Sequence, residues 1–166
     1  MAFAERGISL KRQKTNVMRI LERESIPFLP LYYDLGEREF SGEAVAEIMG
    51  LPPEQGFKTL LAKGAKRGYL VFVIPANEEL DLKKAAAAAG DKNVEMLHQK
   101  DLLLVSGYQR GEVSPLGMKK AFPTFIDETA ILFGQIAVSA GKKGSSVLVP
   151  PEPLAELLGA VFAELV

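Results

Sequence analysis

The chain has 166 residues, a net charge of −1 and 48% apolar content. That suits one domain with a substantial core and lacks the basic excess of a protein that coats nucleic acid. There is no cysteine and one histidine, His98, which excludes disulfides, thiolate metal sites and a cysteine nucleophile and leaves no basis for a structural zinc.

Residues 1–13 are polar and predict a loose N-terminal segment ahead of a domain over 14–166. Val17, Met18 and Leu21 predict a helix over about 14–24, with Thr15 or Asn16 near its start and Pro27 ending it. The apolar and aromatic run 28–33 reads as a strand, and Pro30 places it at a sheet edge. A second helix is expected from Ser41, carrying Ala44, Val45 and Ile48 on one side, closed by Gly50 and followed by Pro52-Pro53. Runs 57–62 and 69–74 predict a hairpin around the charged turn 63–68. The second run is apolar throughout and belongs at the centre of a sheet.

Asp81 is placed to cap a helix reaching Ala89, with Gly90 as its stop. A short strand over 94–97, a helical turn or two over 100–105 and an irregular glycine-rich stretch over 107–117 follow. Strands are expected at 124–127, 135–139 and 147–149. A final helix from Leu154 to the end would bury Leu154, Leu157, Leu158, Val161 and Phe162. The order of elements indicates a single α/β or α+β domain, with a mixed, barrel-like sheet flanked by helices.

No run of 18 apolar residues occurs, and charges interrupt the N-terminus where a signal peptide would be apolar. A cytoplasmic location is therefore expected. A Ser-His-Asp triad would have to run through His98, which stands in polar His98-Gln99-Lys100-Asp101 and reads as a surface histidine near a helix start.

Three segments place glycine, lysine and hydroxyl residues where a core does not require them. In Gln55-Gly56-Phe57-Lys58-Thr59-Leu60-Leu61, alternation sets Phe57 and Thr59 on one face and Lys58 and Leu60 on the other. A lysine on a partly buried face calls for an anion, although a strand lysine also serves as an anti-aggregation charge. The stretch from Gly107 through Tyr108, Gly111, Ser114, Pro115 and Gly117 to Lys119-Lys120 is either a surface loop or an anion-binding concavity of backbone N–H groups. Ser139-Ala140-Gly141-Lys142-Lys143-Gly144-Ser145-Ser146 fails the P-loop pattern. It is a solvated turn, or with Lys119 and Lys120 a basic patch for an RNA backbone.

In order and spacing, Phe57-Lys58-Thr59-Leu60, Asp81-Leu82-Lys83-Lys84, the Gly107 to Lys120 stretch and Ser139 to Gly144 together resemble the YbaK/EbsC family. These are free-standing tRNA editing domains related to the insertion domain of bacterial prolyl-tRNA synthetases. The resemblance spans about residues 14–164 and is nearest the YbaK-type branch. It implies the editing-domain fold and an aminoacyl-tRNA deacylase that acts in trans without metal or cofactor. The implied substrate is cysteine mischarged on tRNA(Pro), or Cys-tRNA(Cys). A sibling activity on Ala-tRNA(Pro) and a non-catalytic module that binds aminoacyl-tRNA or a synthetase are the alternatives.

The resemblance casts Lys58 as the essential lysine and Gly111 as the glycine whose N–H aligns the substrate carbonyl. It places Tyr33, Thr59, Ser114, Pro115, Ser139, Gly141 and Ser146 around the substrate. Two positions depart from the family pattern: Glu112 stands where a second glycine is frequent, and Ser146 where an aspartate can occur. No protein nucleophile is evident, and the resemblance implies that the substrate's own thiol attacks its carbonyl. The implied partners are mischarged tRNA and prolyl-tRNA synthetase, with no role for DNA or a membrane.

Overall fold

The first helix, α1 (Asn16–Arg23), starts where Thr15 Oγ1 accepts the Met18 N–H at 3.2 Å. It buries Val17, Met18 and Leu21, and each fully buried side chain of this size contributes roughly 1.5–3 kcal/mol. The computed structural model describes residues 14–34, 36 and 42–166. The expected loose segment 1–13 and the helix start at Ser41 lie outside these residues.

The strand β1 (Leu29–Tyr32) is an edge strand, as Pro30 requires, and pairs antiparallel with β7 (Ser145–Val149). Helix α2 (Gly42–Met49) buries Ala44, Val45 and Ala46, while Ile48 is only half-buried. The hairpin β2 (Phe57–Gly64) and β3 (Gly68–Pro75) forms in the expected place. Its turn is clamped by buried Asp91, whose carboxylate accepts the N–H groups of Lys66 at 2.9 Å and Arg67 at 2.8 Å. Gly64 sits under that carboxylate, where a Cβ would come 2.3 Å from Asp91 Oδ2.

Asp81 caps α3 (Leu82–Ala89) through the N–H groups of Lys83 and Lys84, and left-handed Gly90 stops it. Short β4 (Val94–Met96) leads through a 3₁₀ turn (Gln99–Asp101) into α4 (Leu102–Ser106). After the long loop come β5 (Thr124–Asp127), β6 (Ile136–Lys142) and β7.

The strands form two sheets instead of one. One is antiparallel, in the order β1-β7-β6; the other is five-stranded and mixed, in the order β4-β2-β3-β5-β8, with the last strand β8 formed by Val161–Ala163. A single parallel bridge, Gly56 to Ala137, links them. Val17, Leu21, Phe57, Val71, Val73, Ile136, Val147 and Val149 belong to one core cluster. Leu70, Phe72 and Ile74 form a second cluster with Ala85, Ala89, Phe125 and Leu165. Central β3 is thus apolar on both faces, which explains its unbroken hydrophobic run.

The C-terminal expectation needs correction. Helix α5 (Pro151–Leu158) ends at Gly159, whose φ of 63° is left-handed, and β8 (Val161–Ala163) then pairs parallel with β5. Val161 is 56% exposed instead of lying on a buried helical stripe. The helical spacing of apolar residues continues past Gly159, but the free edge of β5 offers the backbone a ladder. Asp127 then fastens the segment, accepting the Leu165 N–H at 2.9 Å.

Candidate active site

The cleft begins with an incomplete strand ladder. Successive residues of a paired strand direct their backbone groups alternately to its two edges. The Gly56 carbonyl accepts Ala76 N–H at 2.7 Å on the β3 side, and the Leu61 carbonyl accepts Leu97 N–H at 3.1 Å on the β4 side. The same parity turns the Thr59 N–H and C=O towards the β4 side. There β4 reaches only Ala62, Lys63 and Gly64, so the Thr59 backbone borders open space.

Beyond the Gly56–Ala137 bridge β2 and β6 part. Lys58 and Ser139 each stand two residues past it, on opposite sides of the opening. The resulting cavity of about 680 Å³ is lined along β2 from Gly56 to Leu61. At the Gly56 end stand Val45, Ala46 and Met49 of α2; Met96, Leu97, Gln99 and Leu102 line it from the segment that follows β4. Among the described residues, its charged lining side chains are Lys58, Arg110 and Glu43.

Lys58 is half-buried and has no ion pair or hydrogen bond to any described residue. As alternation requires, Phe57 and Thr59 are buried on the opposite face of β2. Thr59 Oγ1 is buried without a hydrogen-bond partner. An unpaired buried hydroxyl costs free energy, which a ligand group could recover.

Opposite β2 the loop 107–117 brings Gly111 to the cavity. Ser139 holds it there: its hydroxyl donates to the Glu112 carbonyl at 3.1 Å and accepts the Gly141 N–H at 3.0 Å. A register irregularity in β6 between Ser139 and Lys142 turns Ser139 to this task. Tyr108 pins the other side, donating to the Leu116 carbonyl at 2.5 Å. Burial, assisted by the Glu112 carboxylate, pushes the Tyr108 phenol up to about 12, so it stays a neutral donor.

The remaining wall is a hydroxyl pair. Ser146 lies across from Ser139 in the β6–β7 ladder, and Tyr33 is hydrogen-bonded to the Ser146 side chain. Burial raises the Tyr33 phenol above its ordinary value, partly opposed by the bonds to Ser146 and the Gly144 backbone.

Of the residues singled out in the sequence, Tyr33, Lys58, Thr59, Gly111, Ser139 and Ser146 line one cavity. Ser114, Pro115 and Gly141 do not. Ser114 is buried, and its Oγ accepts the Leu116 N–H at 3.3 Å, while Pro115 is buried beside it. Gly141 lies behind the wall, where a Cβ would press on the Tyr108 ring at 3.1 Å. Sequence reasoning gave no separate role to Arg110 or Tyr108, and passed over the segment after β4. The first two precede Gly111 in the loop already singled out, but nothing local marks the third. His98 is exposed at the start of a 3₁₀ turn. Among the described residues no group of three His, Cys, Asp or Glu side chains could hold a metal, and no helix is long and apolar enough to cross a membrane.

A cleft between two sheets, with a cation unpaired among the described residues and a tethered glycine loop, is a ligand site suited to an anionic or ester-bearing substrate. Residues 38–157 match the aminoacyl-tRNA editing domain, and the chain belongs to that family. It is 47% identical over 154 residues to an Enterococcus faecalis protein whose name provisionally assigns it as a Cys-tRNA(Pro)/Cys-tRNA(Cys) deacylase, EbsC. That match covers 93% of this chain and 94% of the relative. A proline–tRNA ligase of Thermosipho africanus is 31% identical over 78 residues, 47% of this chain but 14% of the ligase. A crystal structure described provisionally as a trans-editing enzyme for prolyl tRNA synthetase has the same fold. Its TM-score is 0.76 at 23% identity, over 95% of this chain and 98% of that one.

Proposed function

We propose that this protein is an aminoacyl-tRNA deacylase acting in trans in the cytosol, and that it clears cysteine from tRNA(Pro). The observation that carries this reading is Lys58: a half-buried cation with no ion pair or hydrogen bond to any described residue, across a cleft from a loop glycine. Such a cation is suited to a phosphate or ribose oxygen of a tRNA end. The Gly111 N–H then aligns the ester carbonyl, and a donor of this kind contributes about 2.7–4 kcal/mol to ester cleavage.

No lining residue is a cysteine or histidine, and the reaction uses the substrate's thiol. Its sulfur bonds to the carbonyl carbon and the carbon–oxygen bond to the ribose breaks. The thiol proton ends on the ribose hydroxyl, leaving a cyclic thioester and free tRNA. The net charge of −1 fits weak intrinsic affinity for RNA, so selection of tRNA(Pro) falls to a complex with prolyl-tRNA synthetase.

The test is a panel of Cys-, Ala- and Ser-tRNA(Pro), with and without the synthetase, following loss of the ester. Rapid loss of the cysteine ester alone is expected. Equal cleavage of the alanine and serine esters would make water the nucleophile and overturn the thiol mechanism.

A further inference from the structure

Two opposite charges face the cleft without meeting. Lys58 and Glu43 both line it, and neither has an ion pair or hydrogen bond to any described residue. Glu43 stands in the first turn of α2, where the helix dipole favours a carboxylate. The dipole accounts for the residue type but not for its place on the cavity. That place follows from packing. Ala46 of α2 lies 3.7 Å from where a Cβ on Gly56 would stand, so this side of the helix faces the start of β2. Residues three apart share a helix face. Glu43 and Met49 lie one turn to either side of Ala46, and all three line the cavity. Exposed Glu43 is thus at the rim, about 5–6 Å along the helix from the Gly56 wall. Lys58 is two residues along β2 from that wall, about 7 Å.

We propose that Glu43 receives the α-ammonium of the aminoacyl ester and so restricts the enzyme to esters with a free amine. This rests on the deacylase reading, in which the reacting carbonyl lies by Gly111 and the nucleotide oxygens face Lys58. A cysteinyl ester carries its positive charge on the carbon next to that carbonyl. Lys58 and Arg110 repel that charge, and Glu43 is the carboxylate among the described lining residues. A cation and a carboxylate held apart in one cavity match a ligand whose own charges are set apart in the opposite sense. An acyl group on the nitrogen removes the charge and adds bulk against the rim. Peptidyl and formylated esters are therefore rejected by the same side chain that accepts the free amine.

The test is a cycle between residue and substrate. Three esters of tRNA(Pro) all keep the thiol: cysteinyl, N-acetylcysteinyl and mercaptopropionyl, the last with no amine at all. Wild type should cleave the cysteinyl ester fastest, after correction for the spontaneous rate of each ester. Glu43→Gln should lower kcat/KM for the cysteinyl ester about five-fold, the upper range for an exposed ion pair. The same substitution should cost nothing with the mercaptopropionyl ester, because the charge it serves is already gone. Glu43→Asp should recover part of the cysteinyl rate, and Glu43→Lys should lower it further than Gln. A loss of equal size on the cysteinyl and mercaptopropionyl esters would make Glu43 a determinant of cleft shape and overturn the assignment. So would a glutamine variant with wild-type kcat/KM, or a wild type that cleaves the acetylated ester as fast as the free one. A wild type inert towards all three esters refutes the deacylase reading itself, and the assignment with it.

Discussion

Replacing Ser139 with alanine separates positioning from binding. The Ser139 hydroxyl makes bonds of 3.1 and 3.0 Å, to the Glu112 carbonyl and from the Gly141 N–H. Each is worth about 0.5–1.5 kcal/mol net. Glu112 and Gly141 are half-buried, so water recovers part of the loss, and a destabilisation of about 1–2 kcal/mol is expected. For a domain of this size that lowers Tm by roughly 2–8 °C, measurable by calorimetry. The loop does not collapse, because Tyr108 still holds Leu116 and the Glu112 N–H still bonds to Gln109. What is lost is the tether beside Gly111, and a misplacement of about 1 Å in a catalytic group costs about 100-fold in rate. Single-turnover deacylation of Cys-tRNA(Pro) should therefore show a large fall in the chemical step with little change in the concentration dependence. Ser139→Thr keeps the hydroxyl and should restore much of the rate. Wild-type turnover by the alanine variant would refute the positioning argument. So would a threonine variant as slow as alanine with a wild-type Tm.

Lys58→Ala should lower kcat/KM by about 100-fold or more, since a charge-assisted contact and its orienting effect go together. It should leave Tm within about 1 °C, because the lysine has no ion pair or hydrogen bond to any described residue. Tyr108→Phe leaves the Leu116 carbonyl without its donor and should cost about 1–3 kcal/mol in denaturant unfolding, with activity lost in parallel. Backbone hydrogen bonds, led by that from Arg67, hold the Asp91 carboxyl below the usual carboxylate range against the opposing effect of burial. A carboxyl lowered in the folded state lends stability that is full above the ordinary carboxylate pKa and is lost as pH falls through the folded value. The Tm advantage of wild type over Asp91→Asn should therefore be present at neutral pH and shrink on acidification. An advantage that grows towards acid would contradict the clamp.

Much of the fold can be read locally. The Asp81 cap, the stop at Gly90 and the apolar run of β3 each depend on neighbouring residues, and each forms as expected. The C-terminus misleads because Val161 and Phe162 continue a helical spacing across Gly159, while pairing with β5 decides their conformation. Division into two sheets is likewise a tertiary outcome that alternation within one strand cannot reveal. At the site, Lys58 announces itself as a cation in an apolar strand. The support given by Ser139 to the loop depends on a β6 irregularity with no local sequence signature. Gln99 and Leu102 reach the cleft only because β4 stops short along β2. Gly141 carries a signal of a different kind, since at a φ of 88° against the Tyr108 ring no side chain fits.

A strand missing a neighbour is ordinarily an invitation to aggregation, because any passing strand can complete it. Beside Thr59 the vacancy is sunk between α2 and the 107–117 loop, and that recess acts as a gauge of thickness. A strand from another protein would need room for side chains on both of its faces, and a base-paired helix is broader still. The walls that cover this open edge are also the walls of the candidate site, so protection and recognition have one structural origin.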